Sequence, residues 1–238
     1  MRPPKALFFA VFGTCVDWRT SVSREIEALA ARVGVSLDAP AVADAWRAEY
    51  APQMETVRNG SRPWANLDML HREALDGVLD GTPLSGIGDD ERDHLTRAWH
   101  RLDPWPETVD GLTQMKRDHV IAPNSNGHVA LILDMARRAG LPWDVILGAE
   151  TARAYKPLPE AYLRNVALIG CEPHEVMMVA AHNSDLIAAA ACGLRTAFIP
   201  RPTEHGPGQT TDLAPEAEFD LVAADLIDLA RQLDLTDT

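Results

Sequence analysis

The chain has 238 residues, 46% of them apolar and 24% charged, the mix of an ordinary globular protein, and it is long enough to bury a core without disulfide or metal staples. With 35 Asp and Glu against 22 Lys and Arg, the formal charge of -13 repels phosphate backbones and anionic lipid surfaces, which argues against nucleic acid and membrane as partners. An anionic small substrate then needs a few cations gathered in one pocket, so single Arg and Lys residues are worth tracing.

The N-terminal apolar run stops at Gly13, too short to span a bilayer and without a small-residue cleavage site, so neither anchor nor signal is expected. Cys15, Cys171 and Cys192 lie too far apart for a disulfide framework, which points to a reducing, cytoplasmic setting.

Residues Ala6 to Phe12 form a continuous apolar stretch ended by Gly13-Thr14, which predicts a strand buried on both faces. From 17 to 101 the sequence is rich in Trp, Arg and Glu at helical spacing, with no convincing strand. Strand-like runs then recur: His119 to Ala122 ending at Pro123, Trp143 to Leu147 ending at Gly148, Glu175 to Ala181 ending at His182, and Arg195 to Ile199. Between them lie helical patterns, Val129 to Ala139, Pro159 to Ile169 and Asp185 to Cys192, each followed by a Gly suited to a helix C-terminus. The Pro-rich stretch from Pro200 to Pro215 is the longest irregular one.

Alternating strands and helices predict an α/β protein with a Rossmann-like, doubly wound parallel sheet. The expected core is 1–16 and 102–238, with 17–101 as an inserted helical cap subdomain. Such sheets bind ligands at the carboxyl ends of their strands. That rim should carry Ala10 to Thr14, Asn124 to Asn126 and His182 to Asp185, with Lys156 reaching it through a short loop from Ala149 to Tyr155.

The chain carries Phe8-Phe9-Ala10-Val11-Phe12-Gly13-Thr14, Ser125-Asn126-Gly127, Tyr155-Lys156-Pro157 with Tyr162 beyond it, and Asp185, in that order, with Trp46-Arg47 in the insert. These motifs resemble the haloacid dehalogenase superfamily, and in detail its 2-haloacid dehalogenase branch. One departure outweighs the matches: the family's nucleophile is an Asp at the position filled by Ala10, which has no atom able to attack carbon. The chain is therefore read as a nucleophile knockout, an inactive form of an enzyme whose other site residues are kept. The alternatives are a natural non-catalytic binding protein of the same fold, or a relative specialised for fluoroacetate. Phe12 stands where phosphotransferases of the superfamily carry a second Asp, which disfavours a magnesium phosphatase.

For a parent with Asp at position 10, the resemblance implies attack on C2 of a short 2-haloalkanoate, loss of halide, and hydrolysis of the resulting aspartyl ester, without cofactor or metal. An L-haloacid would give a D-hydroxy acid. Thr14 would position the nucleophile, and its alternative reading is a helix N-cap. Ser125 with the backbone N–H groups near Val11 and Phe12 would bind the substrate carboxylate. Arg47 and Asn126 would cradle the halide, and Tyr162 would line the substrate site. Lys156 would keep the nucleophile ionised, and Asp185 would pair with Lys156 and help position water, or simply cap the helix beginning at Leu186.

His182 and Asn183 depart from the branch's pattern and are taken as catalytic candidates, His182 as a proton carrier or a hydrogen-bonded loop residue. Small Ser184 stands where an aromatic is expected and would reshape the pocket. The resemblance also implies a homodimer.

Rival chemistries find less support. Ser125, Asp185 and His205 follow the chain order of an α/β-hydrolase triad, but Pro123 occupies the place of the first Gly of the nucleophile elbow. No G-x-G-x-x-G or P-loop follows the first strand, and Gly206-Pro207-Gly208 reads as a turn. The eight histidines show no metal-ligand spacing, so no metal is expected.

Overall fold

The computed structural model describes residues 3–236. In chain order the elements are strands β1 (Ala6–Phe9) and β2 (Val16–Asp17), helices α1 (Trp18–Val33), α2 (Ala39–Ala48), α3 (Tyr50–Arg58), α4 (Leu67–Leu79) and α5 (Asp89–Thr96), and strand β3 (Asp103–Pro104). There follow α6 (Thr108–Met115), β4 (Val120–Ser125), α7 (Val129–Ala139), β5 (Leu147–Gly148), α8 (Ala149–Ala152), α9 (Glu160–Leu168), β6 (Val176–Ala180), α10 (Asn183–Ala191), β7 (Arg195–Phe198), β8 (Leu221–Val222) and α11 (Leu226–Thr236). Two compact units result among the described residues: 3–17 with 104–236, and Trp18–Asp103.

The larger unit is the expected doubly wound sheet. Its order is β5-β4-β1-β6-β7-β8, parallel throughout. Strand β1 lies between β4 and β6, with Phe8 opposite Ala122 on one side and Met178 on the other. All four β1 residues are fully buried, as an apolar run covered on both faces requires. Because the later strands diverge to either side of β1, its carboxyl end is the switch point where such sheets bind ligands. Helix α7 stops where Gly140 adopts the left-handed conformation at φ 73°, the C-terminal device read from its sequence.

Three local expectations need correction. Strand β4 does not stop before Pro123 but runs through it to Ser125. Pairing with β5 begins only at Asn124, so the N–H that proline lacks has no strand partner to lose. The expected strand over Trp143 to Leu147 shortens to Leu147–Gly148 because Asp144 does a strand's work with one residue. Its N–H donates to the Ile121 carbonyl at 2.9 Å, and its carboxylate accepts from the Ile121 N–H at 2.9 Å. Helix α10 begins two residues before Asp185, with His182 as its N-cap, so Asp185 sits in the first turn and is not the cap.

The smaller unit is all helical apart from its junctions. Its core is aromatic: Trp18, Trp46 and Trp99 are each 1% exposed, and His71 stacks on Trp99 with centroids 4.5 Å apart. The Trp46 indole N–H donates to the His71 carbonyl at 3.1 Å, which joins α2 to α4. Asp38 and Asn66 cap α2 and α4 by accepting from the N–H groups of Ala41 and Met69. Among the described residues no helix is long and apolar enough to cross a membrane.

Candidate active site

The carboxyl ends of β1, β4 and β6 bring most of the expected core residues to one rim. Ala10 follows β1 directly and is 6% exposed, its N–H bonded to the Val179 carbonyl at 3.0 Å. Its side chain belongs to the same apolar cluster as Ala154, Tyr162 and Ala180. Val11 and Phe12 are buried beside it. The chain then turns at Gly13, whose φ of 80° favours glycine; a Cβ there would stand 2.0 Å from Glu204 Oε1.

Thr14 caps no helix. It is fully buried and its Oγ1 accepts from the Ala181 N–H at 2.9 Å, which ties the end of β1 to the end of β6. At the end of β4, Ser125 is 4% exposed and its Oγ accepts from the Gly127 N–H at 3.1 Å. Asn126 Oδ1 accepts from the Lys156 N–H at 2.9 Å and so fixes the backbone that carries the lysine. The segment between β5 and Lys156 is not a plain loop, since it contains helix α8.

Lys156 and Asp185 meet as expected, Nζ to Oδ2 at 2.6 Å, both side chains 11% exposed. The other carboxylate oxygen, Oδ1, accepts from the Tyr162 hydroxyl at 2.6 Å. Burial pushes the Lys156 ammonium below the ordinary lysine range, and the Asp185 charge works in the opposite direction. For Tyr162, burial and the adjacent Asp185 charge both push the phenol up, so it stays a donor. Tyr162 itself is fully buried. The structure therefore makes it a support for Asp185, where the sequence had placed it against substrate.

Asn183 is the clearest correction. It is 2% exposed, its amide N–H groups go to Asp212 Oδ1 at 2.9 Å and the Ala214 carbonyl at 3.0 Å, and its Oδ1 accepts from the Glu216 N–H at 2.8 Å. A side chain so engaged clasps the Asp212–Glu216 loop, with both of its amide N–H groups taken by that loop. Ser184, the small residue expected to reshape the pocket, is exposed.

His182 has a partner that sequence reading missed. Its Nε2 lies 2.9 Å from Glu204 Oε2 and 3.1 Å from Oε1, and Glu204 is 1% exposed. Glu204 lies in the Pro200 to Pro215 stretch, whose length was the only available signal, since long irregular loops in compact domains are often functional. Arg201 braces that loop: its Nε donates to the Thr14 carbonyl at 3.0 Å and its Nη2 to Glu107 at 2.6 Å.

In the helical unit, the Arg47 guanidinium lies 4.0 Å from the Tyr50 ring centroid and 5.5 Å from that of Trp18. Its buried Nε has no hydrogen-bond partner among the described residues.

A magnesium site would need several hard oxygen ligands. Positions 10 and 12 offer Ala and Phe, and Asp185 already serves Lys156 and Tyr162, so these residues do not fit that ion.

Comparison with known proteins gives a consistent setting. The structure of a defluorinating L-2-haloacid dehalogenase superposes with a TM-score of 0.95 at 50% identity, covering 98% of this chain and 99% of that one. An (S)-2-haloacid dehalogenase of Xanthobacter autotrophicus is 28% identical over 193 residues, 72% of this chain and 74% of that protein. Phosphoglycolate phosphatase 1 of Pseudomonas aeruginosa is also 28% identical, over 217 residues covering 86% of this chain and 72% of that protein. The family model for haloacid dehalogenase-like hydrolases matches residues 4–193, so the chain belongs to that family of hydrolases.

Proposed function

We propose that this fold, with Asp at position 10, hydrolyses the carbon–halogen bond of short 2-haloalkanoates, and that the Ala10 chain binds such acids without turning them over. The observation that carries the reading is the pairing of Lys156 with Asp185 and Tyr162 at the β1 switch point, together with apolar residues at 10 and 12 where a metal phosphatase needs carboxylates. The 50% identical defluorinating dehalogenase supports the same choice over the phosphatase.

In this scheme the carboxylate that Ala10→Asp restores attacks C2, the carbon–halogen bond breaks, and the halide leaves with its electron pair. Lys156 holds the attacking carboxylate ionised, and the Thr14 hydroxyl orients it. Ser125 and the N–H groups near Val11 and Phe12 take the substrate carboxylate. Asn126 stabilises the departing halide from the core unit, and Arg47 is the cation that the family resemblance assigns to that charge, an aromatic-flanked guanidinium being weakly hydrated and preorganised.

Water then attacks the ester carbonyl carbon, releasing the 2-hydroxy acid and regenerating the carboxylate. His182 accepts the water's proton: with Nε2–H directed at Glu204, Nδ1 is the basic nitrogen. Asp185 and Tyr162 position Lys156, and Asn183 holds the loop. A homodimer and a cytoplasmic setting accompany this reading.

The test is substrate choice by the Ala10→Asp variant. Halide release from chloroacetate or 2-chloropropionate in the presence of chelator supports the proposal. Phosphate release from phosphoglycolate with magnesium, without halide release, would replace it by the phosphatase reading.

A further inference from the structure

We propose that His182, Glu204 and His205 form a binding site for a divalent transition ion of the zinc type, beside the carboxyl end of β1. Their ligand atoms all lie within 4.8 Å of one another. His182 Nε2 is 2.9 Å from Glu204 Oε2, and His205 Nε2 is 3.6 Å from Glu204 Oε1. A tetrahedral ion bonded at about 2.0–2.1 Å holds its ligand atoms about 3.3–3.4 Å apart, so these two separations bracket the required spacing.

The donor set selects the ion. Two imidazoles and one carboxylate suit zinc, nickel or copper, whereas magnesium and calcium demand more oxygen donors. Three protein ligands also leave a fourth position for water.

Burial and access agree with a site that an ion can enter. Glu204 is 1% exposed, so its carboxylate is shielded from bulk water, while the His205 side chain is 38% exposed and opens the cluster to solvent. Glu204 is also anchored in place, because its carboxylate packs over Gly13, where a Cβ would collide with it. His205 stands on an irregular, exposed loop, so the cluster's outer ligand is the one best placed to adjust to an ion.

Sequence spacing concealed the cluster, since its members come from the end of β6 and from a loop 22 residues further on. Binding would displace any proton on the coordinating imidazole nitrogens. An ion on His182 Nε2 leaves the imidazole proton on Nδ1, the nitrogen that the proposed mechanism uses to take a proton from water. Zinc would therefore act as an inhibitor of the restored enzyme.

The site stands independently of the dehalogenase reading, and its test uses the chain as it is. Calorimetric titration of the metal-stripped Ala10 protein with zinc chloride should show one ion per chain, with no comparable heat from magnesium chloride. His205→Asn, at an exposed position that leaves the core untouched, should weaken binding at least tenfold. Glu204→Gln should do the same, and thermal unfolding will show whether that buried substitution has altered the fold. His174→Asn, at an exposed histidine outside the cluster, should leave binding unchanged. Absence of zinc binding, or zinc binding that His205→Asn does not weaken, would overturn the proposal.

Discussion

Lys156 and Asp185 form a nearly buried ion pair, 2.6 Å from Nζ to Oδ2, whose second carboxylate oxygen is taken by the Tyr162 hydroxyl. The pair lies at the rim of the sheet, where burial disfavours the charge on Lys156 and the Asp185 carboxylate favours it. Removing Asp185 leaves that charge without its partner. Asp185→Asn should destabilise the chain by about 3–5 kcal/mol. Tyr162→Phe, which removes one hydrogen bond to a charged group, should cost about 1.5–3 kcal/mol. Urea unfolding of both variants checks the order, and an Asp185→Asn protein as stable as the parent would show that the pair contributes nothing to the fold.

Asn183 should behave as a structural clasp. Asn183→Ala removes its bonds to Asp212, Ala214 and Glu216, and should lower stability by about 1–3 kcal/mol while speeding proteolytic cleavage between residues 205 and 216. In the Ala10→Asp background, a large loss of turnover with unchanged stability and unchanged cleavage would instead give the amide a chemical role.

Cys15 supplies a pH prediction. Burial pushes its thiol from 9.0 up to about 12, Arg201 works against that shift, and the thiol points at the Ala10 carbonyl. The native state therefore holds a proton that the unfolded chain releases between those values. Its stabilising contribution is complete below pH 9 and is lost as the pH rises toward 12, up to about 4 kcal/mol. The stability difference between the parent and Cys15→Ala should shrink over that interval. Iodoacetamide at pH 8 should spare Cys15 in the folded protein and modify it in urea.

Arg47→Ala, made together with Ala10→Asp, should lower kcat more than it raises KM, because charge on the departing halide develops mainly in the transition state. Steady-state halide release separates the two quantities. A rise in KM alone would make Arg47 a binding residue, and no change at all would remove it from the site.

What could be read from the sequence follows a physical division. The rim segments carrying Ala10, Ser125 and Asp185 were legible because each follows a local apolar run, although β4 runs on to Ser125 and Asp185 stands in the first turn of α10. Lys156 was legible through its flanking Tyr155 and Pro157. Glu204 was not, because it reaches His182 from a loop with no periodicity, and only packing against Gly13 brings it there. Asp144 hid the shortening of β5 for a related reason, since its side chain replaces a backbone partner of Ile121 and no strand pattern encodes that exchange. Asn183 was assigned to chemistry on position alone, and the loop that consumes its amide lies about thirty residues away.

The most direct test concerns residue 10 itself. Halide release from 2-chloropropionate should be measured for the Ala10 chain and for Ala10→Asp, side by side and with chelator present. Loss of a covalent nucleophile removes nearly all of an enzyme's acceleration. The account therefore predicts no release above the uncatalysed background from the Ala10 chain and clear turnover from Ala10→Asp. Turnover by the Ala10 chain at a rate comparable to that of Ala10→Asp would contradict the assignment of position 10 as the place of the nucleophile.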